Sequence, residues 1–448
     1  MHNRTEQFLN DPVFPLLIRM SAPNTIAFFI QAIVVLAEVW FISKLGTTSL
    51  AAVALAFPVI MLTQQMAFGA LGGAVTSSIA RSLGAEDKER AEKLLWHSLL
   101  LSCCGYLLFF LIFFIGGENL LMALGGEGLL LEESLLYIKI FLTGAIFIWL
   151  SGMLSAALRG IGNMRFPALL MIAGSGIQVI LAGGLILGWF GLPKLGIIGA
   201  PLSAISVAAL MAIVMILKFM HSSSNVQLKL SNLSFKKELF RDIFNVALPA
   251  SLAPIFTVGT ILILTGLVGQ FGVSALAGYG IGSRIEFLMI PLVFGIGTAM
   301  TTMVGTNIGA KKVERAERIG WLGGSFAGLF SGMIGLILIL SSSYWINFFA
   351  TDQATYEVTK QYIEIVGLCF TFQGLGLSLY FASQGANAMK WPIIATVIRF
   401  VVAALGGWIA VNWFSSGIAG VFYAAASAMT IYGVMLVLSL KLGAWRSN

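Results

Sequence analysis

The sequence predicts an all-α polytopic membrane protein, with twelve transmembrane helices in two six-helix lobes related by a pseudo-twofold axis. Hydrophobic residues make up 58% of the 448-residue chain and charged residues only 10%, whereas a soluble domain carries roughly a quarter charged residues. The mean hydropathy of +0.94 indicates a chain that is solvated by lipid. Short motifs also recur about 226 residues apart, and internal repeats in so apolar a chain are typical of transporters built from two halves.

The repeat runs through most of both halves. The matched segments are residues 68–69 with 294–295, 84–92 with 309–317, 159–167 with 384–392, and Pro23 with Pro249. Each half holds six predicted helices, an even number, so both halves enter the membrane in the same orientation and the axis should lie along the membrane normal. We expect an N-lobe at 1–220, a cytoplasmic linker at 221–237 and a C-lobe at 238–448, with the substrate path between the lobes.

Twelve apolar runs are each long enough to cross about 30 Å of hydrocarbon as a helix. In order, they lie at about 15–43, 50–80, 94–116, 135–158, 167–189, 196–219, 243–269, 274–306, 319–342, 357–383, 392–412 and 417–440. The loops after the second, sixth and eighth runs are rich in lysine and arginine, whereas the loops on the opposite side hold few of either. By the positive-inside rule both termini are cytoplasmic. The net charge of +7 is therefore a topology signal, and we expect no nucleic-acid partner.

Two acidic residues lie well inside apolar runs: Glu38 in the first and Glu286 in the eighth. A carboxylate inside a membrane is costly and is functional by default, so we expect both to couple transport to an ion. For Glu38 the alternative is a side chain that reaches the outer surface, about two turns away at Gly46. For Glu286 the alternative is a structural ion pair. Arg284 points to a different side of the helix and needs a separate partner, either Glu364 or Glu38.

The first run also carries a polar stripe. Asn24, Gln31 and Glu38 are spaced by seven residues, which places them on roughly one face of a helix. Pro23 removes a backbone hydrogen bond and permits a bend. The two amides are candidates for binding substrate or ion, and the alternative is that they hydrogen-bond to neighbouring helices as packing contacts.

Several glutamines are candidates for the lining of the substrate path: Gln64, Gln65, Gln178 and Gln373. Together with methionine and phenylalanine they would suit large amphiphilic cations. The chain has no nucleotide-binding loop, so transport is driven by an ion gradient or is not driven at all. The coupling ion is H⁺ or Na⁺, with sodium binding at Glu38 or Glu286. We expect no cofactor and no resident metal, because the three cysteines form no metal-binding pattern.

These features resemble the multidrug and toxic compound extrusion (MATE) family. Glu38 is followed eight residues later by Gly46 and then by residues 50–53, Leu-Ala-Ala-Val, as in the first-helix signature of that family. The twin segments at 84–92 and 309–317 and the turns at 160–167 and 385–392 resemble it too. The resemblance covers about residues 12–440. It implies a monomer in the bacterial inner membrane that exchanges amphiphilic, often cationic compounds for H⁺ or Na⁺ by alternating access.

The acids of this chain depart from the family pattern. Many bacterial members carry an aspartate where this chain has Glu38. In proton-coupled members that acid is the expected coupling residue, and the proline that matches Pro23 is a proposed bending point. The usual Asn-x-x-x-Asp of the fifth helix corresponds here to Gln178 and Ala182, so half of that acidic site is missing. The sodium-type pattern is also altered, because residues 249–269 contain no acid.

Other functions stay open beside cation-coupled export. A lipid-linked oligosaccharide flippase of the same superfamily would need several inward-facing cations, and only Lys139, Arg284 and Arg399 are candidates. Of these, we expect Lys139 and Arg399 to be packing or interface charges. A passive channel or a non-transporting scaffold would not need lone carboxylates and helix-breaking prolines in both lobes. An enzyme is the least supported class, because the sequence shows no nucleophile–base set and no metal cluster.

Overall fold

Long helices account for most of the chain. The computed structural model describes residues 4–221, 226–234, 236–350 and 352–446. Within these ranges twelve helices are long and apolar enough to cross a membrane. They are α1 Val13–Ser43, α2 Thr47–Gly84, α3 Lys88–Ala123, α4 Gly128–Gly160, α5 Arg165–Leu187, α6 Gly196–Met220, α7 Lys237–Gly269, α8 Val273–Gly309, α9 Val313–Leu340, α10 Gln353–Gly385, α11 Lys390–Asn412 and α12 Gly417–Lys441. A short helix, Arg4–Asn10, precedes them. The predicted all-α architecture with twelve membrane helices is confirmed.

The helices extend further into polar sequence than the apolar runs indicated. Helix α3 begins at Lys88 rather than near residue 94, and α7 begins at Lys237 rather than near residue 243. The carboxylate of Asp87 caps α3, because it accepts a hydrogen bond from the backbone N–H of Arg90 at 2.9 Å. Hydropathy marks only the part of a helix that lies in lipid, so it does not reveal capped polar turns.

The chain forms two compact units, which we describe separately. The N-unit is Ile26–Ala247, and the C-unit is Met1–Thr25 together with Leu248–Asn448. The predicted lobes, 1–220 and 238–448, assigned all of α1 to the first half and all of α7 to the second. In the structure the first part of α1 belongs to the C-unit and the first part of α7 to the N-unit.

Polar contacts explain why the beginning of α7 belongs to the N-unit. Asp242, in the first turns of α7, forms ion pairs with Arg81 of α2 at 2.6 Å and with Arg90 of α3 at 3.0 Å. The Arg81 guanidinium also donates to Ser78 at 3.2 Å. These contacts fix the first turns of α7 to two helices of the N-unit.

The predicted linker, 221–237, is described in part. Residues 222–225 and 235 lie outside the described residues. In the remainder, the backbone N–H of Gln227 donates to the carboxylate of Glu92 on α3 at 3.2 Å. This hydrogen bond attaches the linker to α3, the helix that also forms an ion pair with Asp242 of α7.

The repeat places the same residue types in equivalent roles in the C-unit. Arg315 and Glu317 are the repeat equivalents of Arg90 and Glu92 in α3. Arg315 donates from Nε to the carbonyl oxygen of Phe8 at 3.1 Å. Glu317 accepts hydrogen bonds from Nε and Nη2 of Arg446 at 2.7 and 2.6 Å. The twin segments 84–92 and 309–317 thus bind other parts of the chain within their own units, which gives a physical reason for their duplication.

The two duplicated prolines lie where the chain passes from one unit to the other. Pro23 lies inside α1, just before the boundary after Thr25, and Pro249 lies inside α7, just after the boundary at Ala247. Both helices continue through their prolines. Because proline removes one backbone hydrogen bond from a helix, each crossing helix is locally weakened where it changes unit. The bend at Pro23 stays a prediction.

Each unit has its own apolar core. Helix α4 is the most enclosed membrane helix of the N-unit, and α8 and α10 are the most enclosed of the C-unit. Tyr137 belongs to the core of the N-unit and Tyr362 to that of the C-unit. Helix α2 contains a π-helical segment, Gln65–Leu71, and α10 contains a 3₁₀ turn, Gly367–Cys369. Neither irregular segment is visible from the sequence pattern.

Replacing Gly295 with alanine is expected to destabilise the C-unit. A methyl group on Gly295 of α8 would lie 2.6 Å from the backbone N and Cα atoms of Thr25 on α1. Because backbone atoms cannot rotate away, the two helices must separate, at a cost of about 1–3 kcal/mol. The measurement is the thermal unfolding midpoint of the purified protein in detergent.

The matched control for this substitution lies on the same helix. A methyl group on Gly280 meets no other atom within 4 Å, so Gly280→Ala should keep or raise the midpoint, because alanine favours helix by about 1 kcal/mol over glycine. Equal midpoints for the two variants would show that α1 and α8 do not depend on a close approach at Gly295.

Candidate functional site

Glu38 lies in a cluster of polar side chains from four helices of the N-unit. Its Oε1 accepts a hydrogen bond from Nε2 of Gln178 on α5 at 2.8 Å. The hydroxyl of Ser203 on α6 interacts with the same carboxylate, and it donates a hydrogen bond of 2.8 Å to the carbonyl oxygen of Ala200. Tyr137 on α4 interacts electrostatically with the carboxylate. We call Glu38, Tyr137, Gln178 and Ser203 the Glu38 cluster; its other members are neutral, so they do not cancel the charge of the carboxylate.

A second hydrogen bond joins α1 to α5 beside this cluster. The Ser175 hydroxyl donates to Oε1 of Gln31 at 3.0 Å. Ser175 and Gln178 are three residues apart, so both face the same side of α5 towards α1. This is the interhelical contact that the packing alternative describes for the amide of Gln31. Together the two hydrogen bonds hold α1 against α5 and orient the Glu38 carboxylate.

Asn24, the first member of the predicted stripe, belongs to the C-unit. It is only 2% exposed and belongs to the C-unit, where its Nδ2 donates to the Thr298 hydroxyl of α8 at 3.2 Å. Gln31 and Glu38 belong to the N-unit. The contacts of Asn24 are therefore described with the C-unit, and a common site for the three residues stays a prediction.

Glu286 lies among aromatic rings of the C-unit. Its Oε2 accepts a hydrogen bond of 2.6 Å from the hydroxyl of Tyr362 on α10. The Tyr362 ring contacts the rings of Tyr279 and Phe422 at centroid distances of 5.5 and 5.1 Å. Arg399 on α11 interacts electrostatically with the carboxylate. We call Glu286 and Tyr362 the Glu286 cluster; in the described part of the chain Arg399 forms no ion pair with the Glu286 carboxylate.

The remaining predicted residues do not join a cluster within their own units. Arg284 and Glu364 are both exposed, and in the described part of the chain they form no ion pair with each other. Gln64 is exposed, and Gln65 is half-buried at the start of the π-helical segment. Gln373 is buried, and its Oε1 has no hydrogen-bond partner among the described residues. Of these five, Gln373 alone offers a buried, unpaired acceptor to a ligand.

Three residues of the two clusters were not predicted from the sequence. Tyr137, Ser203 and Tyr362 are uncharged and common in membrane helices, so nothing in the sequence distinguishes them. Arg399, expected to be a packing or interface charge, donates from Nη2 to the Thr257 hydroxyl of α7 at 2.8 Å. Within the described residues no group of three or more His, Cys, Asp or Glu side chains could hold a metal ion.

Comparisons with known proteins identify the family. The chain matches the MatE family over residues 23–182 and 249–409, once in each half of the repeat. The probable multidrug resistance protein NorM of Thermotoga maritima is 24% identical, over 96% of this chain and 93% of the relative. An FAD transporter of Shewanella oneidensis is 26% identical over 90% of each chain. A MOP superfamily transporter from Pyrococcus furiosus shares the fold, with a TM-score of 0.92, 24% identity and coverage of 99% of this chain and 98% of that one. Because the family match spans most of the chain, the resemblance seen in the sequence is confirmed and the protein belongs to the MatE family.

Proposed function

We propose that this protein is a secondary active exporter that exchanges amphiphilic, often cationic compounds for H⁺ or Na⁺ by alternating access. MATE family members are transporters rather than enzymes, and the T. maritima relative is named as a multidrug resistance protein. The twelve apolar helices make the chain a multi-pass membrane protein. We assign it to the bacterial inner membrane as a monomer, with both termini cytoplasmic because the lysine- and arginine-rich loops fall on one side of the predicted topology.

The Glu38 cluster is the observation that carries this proposal. A carboxylate inside a membrane helix is costly unless a proton or a cation neutralises it. Gln178 orients the carboxylate, and because Gln178 and Ser203 are both neutral they cannot cancel its charge. A proton, a sodium ion or the cationic group of a cargo molecule can each do so, and they compete for the same two oxygen atoms. Competition of ion and cargo for one acid is a sufficient physical basis for antiport.

Ethidium transport by proteoliposomes containing the purified wild-type protein tests the proposal. Either a proton gradient or a sodium gradient is imposed, with the membrane potential held at zero. We expect one of the two to drive ethidium against its own concentration gradient. A gradient equivalent to 100 mV supplies ~2.3 kcal/mol per cation, which at ~1.4 kcal/mol per tenfold allows roughly 50-fold accumulation.

The controls separate coupling from leakage. An ionophore that collapses the driving gradient should abolish the accumulation, and protein-free liposomes should show none. Accumulation under neither gradient contradicts the proposal. Transport of an anionic dye in place of ethidium would instead favour cargo such as that of the S. oneidensis relative, which is named as an FAD transporter, or the lipid-linked flippase.

A further inference from the structure

Arg399 places a permanent positive charge near the middle of a membrane helix. It belongs to α11, Lys390–Asn412, and its side chain is half-buried. An arginine keeps its charge at every pH at which the protein is folded. A charge at this depth is costly, and such residues almost always face the interior of the helix bundle or a cavity, where they meet an oppositely charged or polar partner. The contacts of Arg399 therefore indicate whether the protein itself supplies a balancing charge.

The contacts that hold Arg399 in place are neutral. Its Nη2 donates to the Thr257 hydroxyl of α7 at 2.8 Å, and its guanidinium lies over the ring of Tyr432 on α12, 4.9 Å from the ring centroid. A methyl group on Gly376 of α10 would lie 2.6 Å from the same ring, so the ring is packed closely against the α10 backbone. Three helices therefore fix the position of the guanidinium, and none of these contacts carries a negative charge.

No carboxylate of the chain pairs with this guanidinium. In the part of the chain that the structure describes, Arg399 forms no ion pair. Glu286, the acid inside the apolar part of α8, accepts its hydrogen bond of 2.6 Å from Tyr362 instead. A guanidinium has five N–H donors in a planar fork, and Thr257 is its one hydrogen-bond acceptor among the described residues. The remaining donors are therefore left for a group that the chain does not supply.

The internal repeat relates Arg399 to a contact beside the Glu38 cluster. Thr257 follows Gln31 by 226 residues and Arg399 follows Ser175 by 224, close to the repeat spacing of about 226. Ser175 and Gln31 join α5 to α1 by a hydrogen bond, and Arg399 and Thr257 join α11 to α7 in the same way. The helices that hold an acid in the N-unit are thus matched in the C-unit by helices that hold a permanent cation.

We propose that Arg399 binds an anionic group of the cargo, a carboxylate or a phosphate, so that the protein accepts amphiphiles that carry such a group alongside purely cationic ones. This inference rests on the proposed export and deepens it by naming a class of cargo. The planar fork of arginine can donate to two oxygen atoms of a carboxylate or phosphate at once. Because Thr257 and Tyr432 already hold the side chain, less conformational entropy is lost when the anionic group binds.

Binding of a matched pair of dyes to the purified protein in a neutral detergent tests this proposal. Rhodamine B carries a free carboxylate, whereas its methyl ester has the same rings and the same positive charge but no carboxylate. We expect the wild type to bind the acid more tightly than the ester. Arg399→Gln removes a charged hydrogen-bond donor, so it should weaken binding of the acid by roughly 10- to 100-fold and leave binding of the ester unchanged. Fluorescence anisotropy gives both dissociation constants.

Two further variants separate the charge from the fold. Arg399→Lys keeps the positive charge without the planar fork, so it should bind the acid more tightly than Arg399→Gln does. Lys139→Gln removes another positive charge from a membrane helix, but from an exposed side chain on α4, and it should bind both dyes as the wild type does. Equal weakening of acid and ester by Arg399→Gln would overturn the proposal, because a purely structural residue affects both dyes alike. Selective loss of the acid in Lys139→Gln would also overturn it, by showing a general effect of net charge.

The wild type alone provides a test that does not depend on a variant that folds. If it binds the ester as tightly as the acid, no cation of the protein recognises the carboxylate and the proposal is refuted. We expect neither phosphatidylglycerol nor phosphatidylcholine to displace the acid; displacement by phosphatidylglycerol alone would assign Arg399 to a membrane lipid and overturn the assignment to cargo. The assay uses no ion gradient, so its failure leaves ethidium antiport intact. Failed ethidium accumulation would instead refute export and leave the binding result standing.

Discussion

Replacing Glu38 with glutamine is expected to abolish ion-driven accumulation of ethidium while leaving the protein folded in the membrane. Glutamine has the same size and can still hydrogen-bond to Gln178 and Ser203, which surround the carboxylate. It has no charge for a proton or sodium ion to neutralise, so the ion gradient can no longer be converted into a cargo gradient. A gradient equivalent to 100 mV, worth ~2.3 kcal/mol per cation, should give roughly 50-fold accumulation in the wild type and none in the variant. The measurement is the ethidium ratio in proteoliposomes that contain equal amounts of folded protein.

The matched control is the same substitution at Glu364. This acid lies on α10 and is exposed, and no ion pair involves it in the described part of the chain. Glu364→Gln should therefore accumulate ethidium as the wild type does. If Glu38→Gln also retained accumulation, Glu38 would have no part in coupling, and Glu286 would become the leading candidate.

The twelve helices could be predicted because lipid imposes a simple rule on a chain: about twenty consecutive apolar residues for each crossing. The same rule does not locate the ends of the helices. The polar turn that begins at Lys88 depends on the capping carboxylate of Asp87, and hydropathy does not register a cap. The sequence also could not reveal that α1 and α7 change unit. A repeat shows which segments are alike, whereas membership of a unit depends on contacts such as that of Asp242 with Arg81, 161 residues apart.

The candidate site, like the fold, could be predicted from the sequence only in part. Glu38 and Glu286 were visible in the sequence because a charge interrupts an apolar helix in each case. Gln178 was also a candidate, but its hydrogen bond with Glu38 could not be predicted, because the two residues are 140 apart in the sequence. Tyr362, which is 76 residues from Glu286, was not a candidate at all. Asn24, Gln31 and Glu38 are spaced by seven residues, which predicted that they share one face of α1. Asn24 belongs to the C-unit, whereas Gln31 and Glu38 belong to the N-unit. Periodicity places side chains on a helix but does not indicate what lies opposite them.

Replacing Asp242 with asparagine is expected to destabilise the N-unit strongly. The carboxylate pairs with Arg81 at 2.6 Å and with Arg90 at 3.0 Å, and the Arg81 and Asp242 side chains are only 13% and 14% exposed. Removing one partner of a buried ion pair leaves an uncompensated charge, at a cost of about 3–5 kcal/mol. Because this pair also fixes the first turns of α7 to α2 and α3, the thermal unfolding midpoint of the purified protein in detergent should fall well below that of the wild type.

Glu89→Gln on α3 is the matched control for Asp242→Asn. Glu89 is 67% exposed and pairs with Lys93 one turn along the same helix, and an exposed ion pair of this kind contributes little to stability because solvent screens it. A double variant, Asp242→Asn with Arg81→Gln, should recover part of the lost stability, because no charge is then left unpaired in the protein interior. Equal midpoints for Asp242→Asn and Glu89→Gln would show that the buried pair does not anchor α7. Recovery in the double variant would trace the loss to the unpaired arginine, since a general loss of packing around Asp242 would persist when both charges are removed.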